Sequence, residues 1–172
     1  MNFLKSRFII LILSIIHVNS FAQLEDTLKS AALQIINNSD FCTLITIDSS
    51  GFPAARIMQS LTVAEDFVIW LGTKPITQKV NHIKAHPEVS VYYTENSSTT
   101  YVNIKGKAEI ITSNEMKKKY WKEGWESFYP DREKDFVLLK VSPVSMQIVS
   151  YSRGIISEKE NWAADEVVFT NP

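Results

Sequence analysis

The chain has 172 residues, one Cys and a formal net charge of −1, with 45% hydrophobic and 22% charged residues. These values describe an ordinary globular chain with core enough for one domain, and they exclude disordered, collagen-like and disulfide-stapled classes. Near-zero charge argues against a nucleic-acid footprint, which needs clustered Lys and Arg; the single thiol, Cys42, excludes an intrachain disulfide and a four-thiolate metal site.

Residues 1–22 read as a cleaved signal peptide, with an uncleaved N-terminal anchor as the alternative. Lys5 and Arg7 form a basic start, and Phe8 to Ile16 is apolar apart from Ser14, long enough for an h-region and too short to span a bilayer. Ser20-Phe21-Ala22 offers small residues at −3 and −1 of a cleavage site, leaving Gln23 first. No Cys or Arg-Arg accompanies the run, so neither a lipoprotein anchor nor twin-arginine export is indicated. The expectation is a secreted or periplasmic protein with one domain over 23–172.

In the remaining chain, apolar residues at Leu24, Leu28, Ala31, Ala32, Ile35 and Ile36 have helical spacing and predict a helix ending at Asn37-Asn38. Cys42 to Asp48 alternates and is β-branched. Ser49-Ser50-Gly51 is a turn signal, and Ala54 to Leu61 returns as the second strand of a hairpin. Asp66 to Leu71 is a continuously apolar third strand, expected to be buried on both faces or closed in a barrel. Pro75 to Ala85 changes period: Ile76, Val80 and Ile83 mark a short helix that Pro87 stops. Val89 to Thr94 and Tyr101 to Thr112 are strands joined by the polar loop Asn96 to Thr100. Ser113 caps a helix to about Lys122; Phe136 to Val141 and Ser145 to Tyr151 are two further strands separated by Pro143, and the last ~20 residues read as irregular. Six or seven strands with short helices, and no regular crossover helices, predict a mainly β Greek-key barrel rather than a doubly wound sheet.

Catalytic motifs are sparse. There is no GxSxG, Walker loop or GxGxxG. His82 and His86, four apart, are either a metal-binding pair or helix-end capping residues; no HExxH accompanies them. Cys42, in an apolar strand with no cation beside it, reads as a buried inert thiol. What remains is a split anion site. Arg56 on a strand can grip a phosphate with two parallel hydrogen bonds, and Thr77, Gln78 and Lys79 open the short helix with free N–H groups and a point charge. The same residues also fit a simpler reading as surface charges. The aromatic segment Tyr120, Trp121, Trp125, Phe128 and Tyr129 reads either as a hydrophobic plug at a barrel end or dimer contact, or as a wall over a cofactor pocket.

Five segments, GFPAARIM, VIWLGTKPITQKVNHIKAHPEVSVYY, YVNIKGKAEII, YWKEGWESFYPDRE and FVLLKVSPVSMQIVSY, occur in an order and spacing that resemble the pyridoxamine 5'-phosphate oxidase-like family, in its general stress protein-type branch. The resemblance covers roughly Leu24 to Phe169. It implies a six-stranded Greek-key split β-barrel with short flanking helices, forming a homodimer that binds FMN at the subunit interface. Carried over by position, Arg56 would grip the FMN phosphate. Ile57, Met58, Gln59, Ser60 and Leu61 would run beside the isoalloxazine ring. Gly72 and Thr73 follow the third strand, and Thr77, Gln78 and Lys79 match the family's S-R-K phosphate segment. The second subunit's contribution falls near Tyr101.

Departures qualify the match. Gln78 replaces the Arg of S-R-K, weakening the cradle, and Lys74 is a candidate to restore that charge. Leu61 stands where true pyridoxamine phosphate oxidases place a substrate-binding Lys. Their C-terminal Arg-x-His is missing after Arg153, and the branch's WRPP is here Trp162-Ala163-Ala164-Asp165. The implied function is an exported FMN-dependent oxidoreductase of unknown substrate, without vitamin B6 phosphate oxidation. The alternatives are a non-catalytic protein binding haem or another planar cofactor, with His82 or His86 as axial ligand, and an F420-dependent reductase of the same fold.

Overall fold

A computed structural model of the chain describes residues 23–95 and 99–170. The predicted signal peptide and most of the polar loop at Asn96 to Thr100 lie outside the described residues. The first helix, α1 (residues 23–37), lays Leu28, Ala31, Ala32, Ile35 and Ile36 against the core, as its spacing requires.

Seven strands follow: β1 (Phe41–Ile47), β2 (Pro53–Gln59), β3 (Ile69–Thr73), β4 (Glu88–Thr94), β5 (Thr100–Ile111), β6 (Val137–Ser150) and β7 (Asp165–Val168). All pair antiparallel, in the spatial order β2-β1-β4-β5-β6-β3, with β7 also on β6. The sheet curls around a core of Leu44, Ile69, Leu71, Tyr93, Ile104 and Met146, giving the mainly β split barrel that the sequence predicts. Its two terminal strands, β2 and β3, are not hydrogen-bonded neighbours, and their edges flank the split. Helix α2 (Gln78–Ala85) follows β3 and buries Val80 and Ile83. Short helices α3 (Asn114–Lys119) and α4 (Arg132–Asp135) bracket the aromatic segment.

Several expected boundaries need correction. Phe136 to Val141 and Ser145 to Tyr151 form one strand, β6, because Pro143 sits at a β-bulge where its missing N–H breaks no ladder bond. Opposite it, Gly106 permits a close approach: a Cβ there would lie 2.5 Å from the Ser142 carbonyl oxygen. The bulge divides the other edge of β6, with β3 pairing along Val137–Val141 and β7 along Ser145–Ile148. β7 itself lies in the tail expected to be irregular, anchored by buried Val167. β3 begins at Ile69, not Asp66, because Phe67 takes a left-handed φ of 56° while the Asp66 carboxylate accepts the Val68 N–H. β2 ends at Gln59; beyond it Ser60 is buried and Leu61 turns into a second apolar cluster. Pro75 and Ile76 precede α2 rather than belong to it, and α3 stops at Lys119, where Tyr120 turns to stack on Trp70 at 4.3 Å.

β3 is buried on both faces, as expected. Ile69 and Leu71 enter the barrel core. Trp70 faces the second cluster of Leu61, Trp125, Phe136 and Leu138, with Tyr120, Trp121 and Tyr129 packed around it.

Gly106→Ala is expected to destabilise the protein by about 1–3 kcal/mol, since its Cβ meets backbone that cannot rotate away. Chemical denaturation checks this, and an unchanged midpoint would show that the bulge tolerates a wider spacing.

Candidate functional site

The site forms where β2, β3 and α2 meet at the split. On β1 and β2 the inward register runs Cys42–Met58, Leu44–Arg56 and Thr46–Ala54. Arg56 therefore points inward from an edge strand, and its Nη1 donates to Oγ1 of Thr46, its diagonal neighbour, at 2.7 Å. From α2, Lys79 Nζ donates to Thr73 Oγ1 at 3.1 Å, and the Thr73 and Thr77 hydroxyls lie 3.3 Å apart. Thr77 is the N-cap residue of α2; its hydroxyl donates to the Lys74 carbonyl and does not cap the helix. No side chain caps the first-turn N–H groups of α2; the Val80 N–H donates to the Thr77 carbonyl at 3.0 Å.

Arg56 and Lys79 are both half-buried, and among the described residues neither forms an ion pair with a carboxylate. Burial lowers the pKa of each. Arg56 lowers that of Lys79 further, as expected when one cation stands near another. Two partly desolvated cations without a counter-ion form a site ready for an anion.

Beside them lies a pocket of about 440 Å³ lined by Phe41, Ile57, Met58, Gln59, Gly72, Thr73, Lys79, Trp125, Phe128 and Tyr129. It joins a cationic end to aromatic walls. Trp125 Nε1 donates to Gln59 Oε1 at 2.7 Å, locking the indole to the end of β2, and Lys122 Nζ donates to the Ser60 carbonyl at 3.1 Å. Gly72 is required for this packing, because a Cβ there would lie 2.7 Å from the Phe136 ring and 2.8 Å from the Trp125 ring. The aromatic segment thus combines its two readings: it plugs the outer face of β3, and three of its rings wall the pocket.

Of the residues expected at a cofactor site, the fold brings Ile57, Met58, Gln59, Gly72, Thr73 and Lys79 to this pocket; Arg56 and Thr77 do not line it, but Arg56 is close enough to Lys79 to lower its pKa and the Thr77 hydroxyl lies 3.3 Å from that of Thr73. Ser60 and Leu61 are buried and do not line it. Gln78 lines a second pocket with Asp48, Asn81 and His82, and Lys74 is exposed and lines neither. Tyr101 is absent from the pocket walls; it stacks on Tyr92 at 5.2 Å. Phe41 and Thr46 were not anticipated. A polar Thr46 on the otherwise apolar inward face of β1, diagonal to Arg56, is the signal that would have marked it.

The other chemical candidates are resolved by packing. Cys42 is buried, and burial pushes its thiol up to about 12, so it is no nucleophile at neutral pH. His86 caps α2 through its backbone N–H on the His82 carbonyl, while the His82 ring bonds Thr46.

A split barrel with an anion cradle and an aromatic pocket at its open edge defines the class of protein. A family model described as "Pyridoxamine 5'-phosphate oxidase like" matches residues 28–155. The chain belongs to that family. It is 25% identical over 130 residues to General stress protein 26 of Bacillus subtilis (strain 168), spanning 73% of this chain and 91% of that one. The crystal structure of General Stress Protein 26 from Bacillus anthracis str. Sterne superposes with a TM-score of 0.67 at 21% identity, covering 83% of this chain and 98% of that chain. A structure described as an F420 reductase superposes with a TM-score of 0.53 at 19% identity, covering 66% and 93%.

An anion site of this kind has two measurable signatures. Sulfate is expected to raise the Tm of the wild-type protein and not that of Lys79→Met. Without anion, Lys79→Met is expected to be more stable than wild type by about 0.5 kcal/mol, roughly 2 °C, because a desolvated charge is relieved. Since the Lys79 pKa lies below the ordinary 10.5, the sulfate effect should fade as pH rises toward that value, with loss of the proton from Lys79. Equal sulfate effects on both proteins would refute a specific cradle.

Proposed function

We propose that this protein is an exported, homodimeric flavoprotein that binds FMN at the β2–β3 split and uses it to oxidise or reduce a small molecule. The observation that carries the reading is the Arg56–Lys79 pair, without a carboxylate partner among the described residues, at the end of an aromatic pocket. These residues fit the cofactor. A phosphate dianion answers two desolvated cations and the Thr73 and Thr77 hydroxyls, and Met58, Gln59, Gly72, Trp125 and Tyr129 offer apolar and hydrogen-bonding surface for a planar ring. When bound, FMN supplies the hydride chemistry. The chain's own residues hold the phosphate, orient the ring along the edge of β2, and exclude water with the Trp125–Tyr129 wall. This division of labour accounts for the scarcity of acid–base residues at the pocket.

Dimerisation is supported by Phe41, Ile57 and Phe128, which are 60%, 74% and 64% exposed on the rim of one pocket. Isolated exposed apolar side chains are ordinary, but three around a functional pocket are the mark of a covered surface. Tyr101, away from the pocket of its own chain, would then serve the partner's site. Export rests on the basic start, apolar run and Ser20-Phe21-Ala22 site of residues 1–22.

The substrate is not a vitamin B6 phosphate on this reading. Leu61 is buried in the second apolar cluster and presents no cation, and Arg153 is held by Glu95 through two bonds of 2.7 and 3.0 Å. Members of the family bind flavins or deazaflavins, and the match to an F420 reductase keeps F420 as the second reading, since its phosphate would use the same cradle. Haem gains no support here, since neither His82 nor His86 lines the aromatic pocket.

Protein recovered from the cell envelope is expected to begin at Gln23, to be dimeric and to quench FMN fluorescence on titration. Arg56→Ala should weaken FMN more than Lys79→Ala, by about fivefold, since it removes a bidentate group. A monomer that quenches neither FMN nor F420 would defeat the reading; selective binding of F420 would replace it with the deazaflavin one.

A further inference from the structure

The Thr46 hydroxyl sits between two groups. Arg56 Nη1 donates to it at 2.7 Å, and His82 Nδ1 lies 2.9 Å from the same oxygen. Thr46 is fully buried. A guanidinium can only donate, so Thr46 Oγ1 is the acceptor in the first contact. The hydroxyl hydrogen then needs an acceptor of its own, and among the described residues the one within reach is His82 Nδ1. Were Nδ1 protonated, Thr46 would accept from both neighbours and its own hydrogen would be buried without a partner, which is destabilising. Satisfying all three groups directs the donors one way, from Arg56 to Thr46 to His82, and puts the imidazole proton on Nε2; His82 also lines a pocket with Asp48 and Gln78.

We propose that His82 is a positioning residue for the anion grip: by accepting the Thr46 hydroxyl hydrogen at Nδ1 it fixes the Thr46 lone pairs on Arg56 and so pre-orients the guanidinium for the cofactor phosphate. The inference rests on the flavin reading for its ligand, while its geometry stands without one. Arg56 lies on an edge strand and is half exposed, so its long side chain would otherwise sample many rotamers and lose that freedom on binding. Ordering it beforehand lowers the cost of capture. The relay also ties the two halves of the cradle together, since His82 and Lys79 share α2 while Thr46 and Arg56 lie on the β1–β2 hairpin.

Two measurements test this. In the unliganded protein, long-range proton–nitrogen spectra of the His82 ring should show the proton on Nε2 and a bare Nδ1; a protonated Nδ1 overturns the relay whether or not any flavin binds. Separately, FMN and riboflavin are titrated against four variants. His82→Leu and Thr46→Val should each weaken FMN by roughly three- to tenfold, the size of one net hydrogen bond, and leave riboflavin, which has no phosphate, unchanged. The double variant should lose no more than either single one, and His82→Asn, with an amide oxygen to accept in place of Nδ1, should recover most of the loss. Equal losses for FMN and riboflavin would mean that His82 merely holds α2 in place; additive losses in the double variant would mean that His82 and Thr46 act independently. Either result overturns the proposal. If wild type takes up neither flavin, the flavin reading fails, and the His82 spectrum still decides the relay.

Discussion

Two cations of like sign, Arg56 and Lys79, stand near one another at the open edge of a β-barrel, and each is held by a hydroxyl and not by a carboxylate. That arrangement works against the stability of the unliganded protein, because both side chains lose water and each raises the energy of the other's charge. Binding of an anion there would recover what folding gives up. Neutral hydroxyls can orient a cation without cancelling its charge, whereas a paired Asp or Glu would have to be displaced before a phosphate could enter.

The rest of the fold holds these charges in place. β6 spans the barrel, and its bulge at Pro143 leaves half of one edge to β3 and half to β7. β3 can then lie with Leu71 in the barrel core and Trp70 in the outer aromatic cluster, fixed from both faces. A strand so fixed presents Gly72 and Thr73 at the split and launches α2, which brings Lys79 opposite Arg56. The aromatic cluster closes the other side: Gly72 gives up its side chain so that Trp125 and Phe136 can close over the strand, and Trp125 reaches Gln59 on β2 across the gap.

The barrel was legible because its signals are local and periodic. Alternation in Cys42 to Asp48, the continuous apolar run before Gly72 and the helical spacing of Leu28 to Ile36 each depend on one face meeting one core. What escaped depended on pairing between distant segments. Pro143 reads as a strand breaker until Gly106 is seen opposite it. The apolar run at Phe67 reads as strand, yet its left-handed φ makes it a turn that plugs the core. β7 is four residues long and has meaning only beside β6. At the site, Arg56 and Lys79 were visible as charges within a family pattern. Thr46 and His82 were not, because their roles arise from a hydrogen-bond chain between elements 36 residues apart in sequence. Gln78 shows the converse: adjacency to Lys79 suggested a shared ligand, but the helix turns it toward another pocket.

On the proposed function, the Arg56–Lys79 pair holds a phosphate beside the aromatic pocket. A crystal structure of the protein grown with FMN tests it most directly. The account predicts the phosphate within hydrogen-bonding distance of both the Arg56 guanidinium and the Lys79 ammonium, with the ring against the Trp125 side of the pocket. FMN bound with its phosphate in solvent, or at any place that leaves these two cations untouched, would contradict it.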